Sequence, residues 1–205
     1  MESKEAYYYR ALYRVAKTIN STLDTRELLT AVARSAAQAL GAKACSLMLL
    51  TPDRRELCHT AAYGLSDWYV RKGPLVVDLS MAEALRGIPV AVLDAGKDLR
   101  VQYREQAVRE GIASILCAPL FMWGEVIGVI RVYTSEPREF DAEDIEFVEA
   151  VANLGAIALQ NAQRYEEVKA NYQRARQELL ELHATWREER SPEALAGEAG
   201  EQNRD

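Results

Sequence analysis

Apolar residues near the start of the chain recur at Tyr8, Leu12, Val15 and Ile19, spacings of four, three and four that form one stripe on a helix. After Asn20-Ser21, Asp24 and Glu27 form a capping pair that opens a second helix. Leu28, Leu29, Val32, Ala33, Ala36 and Leu40 give it a buried face, and its many alanines imply close approach to what lies beneath. Gly41 ends it, because glycine tolerates the left-handed geometry of a helix terminus. The period then changes. Residues 45–51 read as a short apolar strand, Pro52-Asp53-Arg54-Arg55 as a turn, and 56–63 as the returning strand of an antiparallel hairpin. Gly64 breaks it. An aromatic segment, Ser66-Asp67-Trp68-Tyr69, leads to Pro74 and a strand over 75–79. Ser80 and Glu83 cap a short helix over 81–86, closed by Gly87, and 89–93 form a fourth strand.

A polar loop over 94–100 precedes a helix over 101–110, which ends at Gly111. Residues 112–122 and 126–134 are the two most apolar strands, and such strands are usually central and covered on both faces. Gly128 sits in the middle of the second, where glycine implies the close approach of another backbone; the alanine-rich helices are suitable partners. Pro119 implies a bulge or an edge, since proline cannot donate to the ladder. Asp141 caps a long final helix, with Glu143, Asp144 and Glu146 near its positively polarised start. The pattern predicts an α+β architecture: an antiparallel sheet of about six strands with helices covering one face.

No proline interrupts 142–190. Along it lie Val151, Leu154, Ala158, Asn161, Tyr165, Val168, Tyr172, Ala175, Leu179, Leu182 and Trp186, at spacings alternating three and four. This is the a/d seam of a coiled coil. To about Asn161 the apolar face is wider and suits packing on the chain's own domain. Beyond Gln163 a lone helix would leave the stripe in water, so Tyr165, Val168, Tyr172, Leu179, Leu182 and Trp186 are expected to pair with a second copy. The organisation expected is an N-terminal helix over 1–22, a globular domain over 23–161, a coiled-coil helix over 162–190 and a disordered tail over 191–205.

The 205 residues are 49% hydrophobic, enough for a packed core, with a net charge of −6. Without a cluster of Lys and Arg, no basic face for nucleic acid or an anionic membrane surface is expected. No apolar run is long enough to span a bilayer, and the N-terminus does not read as a signal peptide. Cys45, Cys58 and Cys117 are odd in number and widely spaced, which suits reduced thiols in a cytoplasm. With two histidines only, a structural zinc site is not expected.

Four strings in order resemble the GAF domain family: LDTRELL at 23–29, GIPVAVLDAGKDLRVQ at 87–102, SILCAPLFMWGEVIGVIRVY at 114–133, and Phe140 with Asp144 as F-x-x-x-D. The resemblance implies a small-molecule pocket between the sheet and the short helices on its second face. Its lining would come from Trp68, Tyr69, Val76, Asp78, Asp94, Tyr103 and Arg131. Relatives that bind cyclic nucleotides carry an Asn-Lys pair and an Asp-Glu; here Val132-Tyr133-Thr134 and Ile145 stand instead. The helix that would attach a bilin has neither Cys nor His, so no covalent bilin is expected, and haem through His59 is disfavoured. The free methionine sulfoxide reductases of this fold need pocket-loop cysteines, which loops 64–74 and 94–104 lack.

Arg131 interrupts an apolar strand, and an unpaired buried guanidinium is costly. It reads as a rim arginine paired with Asp78 or Asp94, or as a fork for a carboxylate, nitrate or phosphate-like ligand. Trp68 and Tyr69 read as a hydrophobic lid, Cys58-His59 as a half-buried hairpin pair, and Cys117 as inert packing. The function expected is signal transduction by a small-molecule sensor. It would act as a homodimer, with an unidentified ligand and output to a signalling partner in trans. A structural dimerisation module with a degenerate pocket is the alternative, and an enzyme ranks last.

Overall fold

The computed structural model describes residues 3–19, 24–77 and 82–189, with side chains as far as 183. Asp78, the Ser80 cap, the side chain of Trp186 and the tail over 191–205 lie outside the described residues. The chain divides into two compact units, Met1–Ala162 and Gln163–Asp205.

The first unit opens with α1 (Lys4–Ile19) and α2 (Thr25–Ala39). The Asp24 carboxylate accepts the Glu27 N–H at 2.8 Å, the N-cap bond expected of the pair, and Gly41 takes φ +58° beyond the last turn. The strands are β1 (Ala44–Leu50), β2 (Glu56–Tyr63), β3 (Leu75–Val76), β4 (Val90–Val92), β5 (Ser114–Met122) and β6 (Glu125–Thr134). They form one antiparallel sheet in the order β3-β2-β1-β6-β5-β4. Three short helices lie between them: α3 (Asp67–Val70), α4 (Ala82–Leu85) and α5 (Arg104–Glu110). A long helix, α6 (Ala142–Glu189), follows β6.

The side chains of β6 alternate between two separate cores, as the two-residue period of a strand requires. Ile130 and Val132 join Leu47 and Leu116 beneath Val15, Leu29, Val32, Val148 and Val151, the buried stripes of α1, α2 and early α6. Val129 and Tyr133 face the other way, with Met48, Ile115 and Cys117, under Tyr69 of α3, Ala84 of α4 and Ala107 of α5. The sheet is therefore covered on both faces, and long and short helices are segregated between them.

Several boundaries are tighter than the sequence pattern implies. The strand expected over 75–79 pairs with β2 only at Leu75 and Val76, and the helix expected from 101 begins at Arg104. Pro119 is at an edge: β4 pairs with β5 only as far as Cys117, and a register shift follows between Leu120 and Phe121. Gly128 does face a close backbone, but it belongs to the neighbouring strand and not to a helix. A Cβ there would stand 2.2 Å from the Met48 carbonyl oxygen and 3.0 Å from the Leu49 Cα, next to the irregularity between Leu47 and Met48. Gly128→Ala is therefore expected to cost about 1–3 kcal/mol through overpacking. Thermal unfolding by circular dichroism should show Tm lowered by several degrees, at about 2–4 °C per kcal/mol. An unchanged Tm would mean that β1 and β6 do not approach so closely.

In the second unit, α6 presents Tyr165, Val168, Tyr172, Leu179 and Leu182 to solvent, each exposed. Leu180, off the seam, is exposed as well. No helix among the described residues is long and apolar enough to cross a membrane.

Candidate functional site

Helix α3 is too short to hold itself, and side chains fix it at both ends. Ser66 caps it, its hydroxyl accepting the Tyr69 N–H at 3.4 Å. Ser66 in turn gives its own N–H to Glu110 Oε1 at 2.7 Å and its hydroxyl proton to Glu110 Oε2. The carboxylate at the end of α5 thus locks α3 over the sheet, with Tyr69 pointing down. The Tyr69 ring is 3% exposed and meets Tyr133 of β6 edge-on, centroids 6.3 Å apart. Tyr133 shares a 2.9 Å hydrogen bond with Ser46 of β1.

Arg131 lies two residues before Tyr133 on this same face, opposite Ser46 on β1 and Cys117 on β5. It is 4% exposed, so it stands inside the layer and not at its rim. Asp94 is engaged elsewhere: exposed, it pairs with Lys97 at 2.9 Å and accepts the Gly96 N–H at 3.0 Å, which shapes its own loop. The neighbouring Asp98 and Arg100 likewise pair with each other at 2.6 Å, and Arg100 reaches the Ala91 carbonyl of β4.

Lys72, just beyond α3, completes the cluster. Its ammonium stands 3.8 Å from the Tyr69 ring centroid and 5.6 Å from that of Tyr103. It donates to the Tyr69 carbonyl at 3.0 Å and lies 3.3 Å from His59 Nε2 of β2. Burial lowers its pKa to about 8, and repulsion from Arg131 adds to the effect, against a smaller pull from Glu110. Burial likewise pulls His59 down to about 3, with Lys72 and Arg131 reinforcing it. His59 is therefore a neutral imidazole, whose Nε2 accepts from Lys72. The ring proton then belongs on Nδ1, which is buried without a hydrogen-bond partner. Through His59 the cluster borders a cleft of about 250 Å³, lined also by Arg26, Thr30, Thr60, Asp67 and Val70.

Of the residues expected to line a pocket, Tyr69 and Tyr103 flank Lys72, and Arg131 is near enough to repel it. Trp68 lies outward, 38% exposed, with the Arg109 guanidinium 4.7 Å from its ring. Val76 is half-buried and gives its N–H to Gln102 at 2.8 Å. The sequence does not mark Lys72 and His59 as members of this cluster. A lysine after an aromatic helix reads as solvated, and no spacing links β2 to the loop after α3. Thiolate chemistry is disfavoured at Cys45 and Cys117, which are buried, because burial pushes both thiols up, away from the thiolate; Cys58 is exposed. Among the described residues no cluster of three His, Cys, Asp or Glu is placed to hold a metal ion.

An antiparallel sheet with a packed helical face and a second face roofed by short helices is an α+β architecture of the GAF type. The family model for the GAF domain matches residues 22–160, and the chain belongs to that family. The methyl sulfide methyltransferase-associated sensor of Methanosarcina acetivorans is 27% identical over 182 residues, 80% of this chain. The chain spans only 17% of that relative's length. The GAF domain of a phosphoenolpyruvate-protein phosphotransferase from Coxiella burnetii superposes with TM-score 0.72 at 22% identity, covering 80% of this chain and 99% of the other. A free methionine-R-sulfoxide reductase from Neisseria meningitidis, solved with its substrate, gives TM-score 0.67 at 18% identity, over 80% and 95% of the two chains. At such identities the structural likenesses speak for the fold alone.

Proposed function

We propose that this chain is a regulatory, non-catalytic sensor that binds a small molecule on the α3–α5 face of its sheet. It works as a homodimer through the seam from Tyr165 to Trp186, and paired copies of α6 pass the signal to a partner protein in trans. One observation carries the ligand: a buried Arg131 with half-buried Lys72 and His59 among tyrosines, an arrangement that costs stability and does nothing for apolar packing. A sensor among its relatives supports the regulatory class. Free Cys45, Cys58 and Cys117 suit a cytoplasmic setting.

The competing reading is a structural dimerisation module with a degenerate pocket, favoured by the exposed apolar seam alone. Native mass spectrometry of freshly purified protein, followed by a metabolite screen read by Tm, separates the two. A ligand that binds only the folded state raises Tm by mass action. A co-purifying mass released on denaturation, or a saturable rise in Tm, is expected. Neither would leave the structural module standing.

A further inference from the structure

The cleft of about 250 Å³ at His59 runs along an open strand edge. His59, Thr60, Ala61 and Ala62 of β2 all line it. Successive strand residues point to opposite faces, so four in a row can line one cleft only from the strand's edge. The edge is open because β3 pairs with β2 only at Glu56 and Leu57. Among the described residues, the backbone of 58–63 bonds to no segment but β1. The cleft therefore offers the unspent N–H and C=O groups of an edge strand.

Its walls carry opposite charges. Arg26 and Thr30 come from α2, which packs on one face of the sheet, and Asp67 and Val70 from α3, which packs on the other. Arg26 and Asp67 are exposed, and among the described residues neither side chain has a partner. They do not pair with each other across the cleft they share, which leaves space between a group that only donates and a group that only accepts. His59 adds a donor. An ammonium can only donate, so the 3.3 Å contact with Lys72 Nζ makes His59 Nε2 the acceptor and puts the ring proton on Nδ1. That Nδ1 is buried without a hydrogen-bond partner.

The volume sets the size of the occupant. Sites for drug-sized ligands run to roughly 300–1,000 Å³, so this one suits a smaller molecule. Apart from Arg26 and Asp67 the lining has no charged side chain, and Ala62, Leu65 and Val70 give it apolar surface. Resting on the sensor reading above, we infer that the ligand is a free amino acid with an apolar side chain, bound as its zwitterion in this cleft. Its carboxylate lies on the Arg26 guanidinium and its ammonium on Asp67.

The full chain is titrated by calorimetry with L-alanine, L-valine and L-leucine, and with L-leucinamide and N-acetyl-L-leucine, which lack one charge each. At least one free amino acid should bind saturably and raise Tm, and the two derivatives should bind about tenfold or more weakly. Arg26→Gln should weaken amino-acid binding about tenfold to a hundredfold, the range for losing one charged hydrogen bond. It should also erase the preference for leucine over leucinamide. Asp67→Asn should likewise erase the preference for leucine over N-acetyl-leucine. A merely structural role for either residue would weaken every ligand alike and keep those preferences, which overturns the inference. A different compound found by native mass spectrometry, with no response to the three amino acids, also overturns it and leaves the sensor reading intact. No ligand of any kind overturns both.

Discussion

Leu179→Asp combined with Leu182→Asp should leave the protein monomeric, whereas the wild-type chain should run at about twice 23.0 kDa by gel filtration with light scattering. The expectation follows from what α6 leaves in water. Val168, Tyr172, Leu179 and Leu182 are 56–68% exposed and Tyr165 is 45% exposed, all on one heptad seam. Fully burying a Leu or Val is worth ~1.5–3 kcal/mol, so a seam of this length offsets an association cost of ~4–15 kcal/mol. Two aspartates at adjacent seam positions would face their own copies across the axis, adding repulsion to the lost burial. Leu180→Asp is the control, since it adds the same charge one residue away from the seam and should leave the dimer in place. A wild-type protein that stays monomeric at high micromolar concentration would sink the homodimer and, with it, the proposed route of output.

The second large effect is expected at Asp144, 1% exposed in the first turn of α6. Its carboxylate accepts from the Tyr8 hydroxyl at 2.5 Å and from Arg138 Nη2 at 3.0 and 2.9 Å, with the Lys4 ammonium 2.9 Å away. Arg138 extends the network, donating from its side chain to the Leu40 carbonyl and from its backbone to Ser114 at 2.9 Å. One carboxylate therefore joins α1, the end of α2, β5 and α6, and Tyr8 also stacks on Phe147 at 4.3 Å. Asp144→Ala would leave a buried hydroxyl and a largely covered guanidinium without their acceptor. Breaking a buried pair in this way costs about 3–5 kcal/mol. At about 2–4 °C per kcal/mol, Tm should fall on the order of 10 °C.

The same site gives a pH signature. Burial opposes ionisation of Asp144, but Tyr8, Lys4 and Arg138 outweigh it and hold its carboxyl below the usual carboxylate range. A depressed folded-state value means that the stabilisation is fully present above the unfolded value, roughly pH 4, and is lost as pH falls through the folded one. The gap in stability between wild type and Asp144→Asn should accordingly be constant near neutrality and close on acidification. A gap independent of pH down to pH 2 would show that the charge of Asp144 is not what stabilises the fold.

Local physics accounts for what the sequence determined by itself. The Asp24 cap, the glycine at the end of α2, the β1–β2 hairpin and the seam of α6 each depend on residues a few positions apart. Their dihedral preferences and apolar periods act before any tertiary contact forms. The family strings could be read for the same reason, since each covers one strand with its loop, one strand pair or one helix start. Their chemistry could not: the aspartates and arginine of the 87–102 string turn out to shape a loop, and Asp144 of the last string turns out to hold Tyr8, 136 residues away. The strand order placed β1 between β2 and β6, and so brought Gly128 against the Met48 carbonyl where a helix had been expected. That order also set Arg131 inside the layer, within the field of Lys72 and His59. Closing such loops costs entropy that no local pattern records, and only the packed sheet with its two cores decides which distant side chains must share a low-dielectric space.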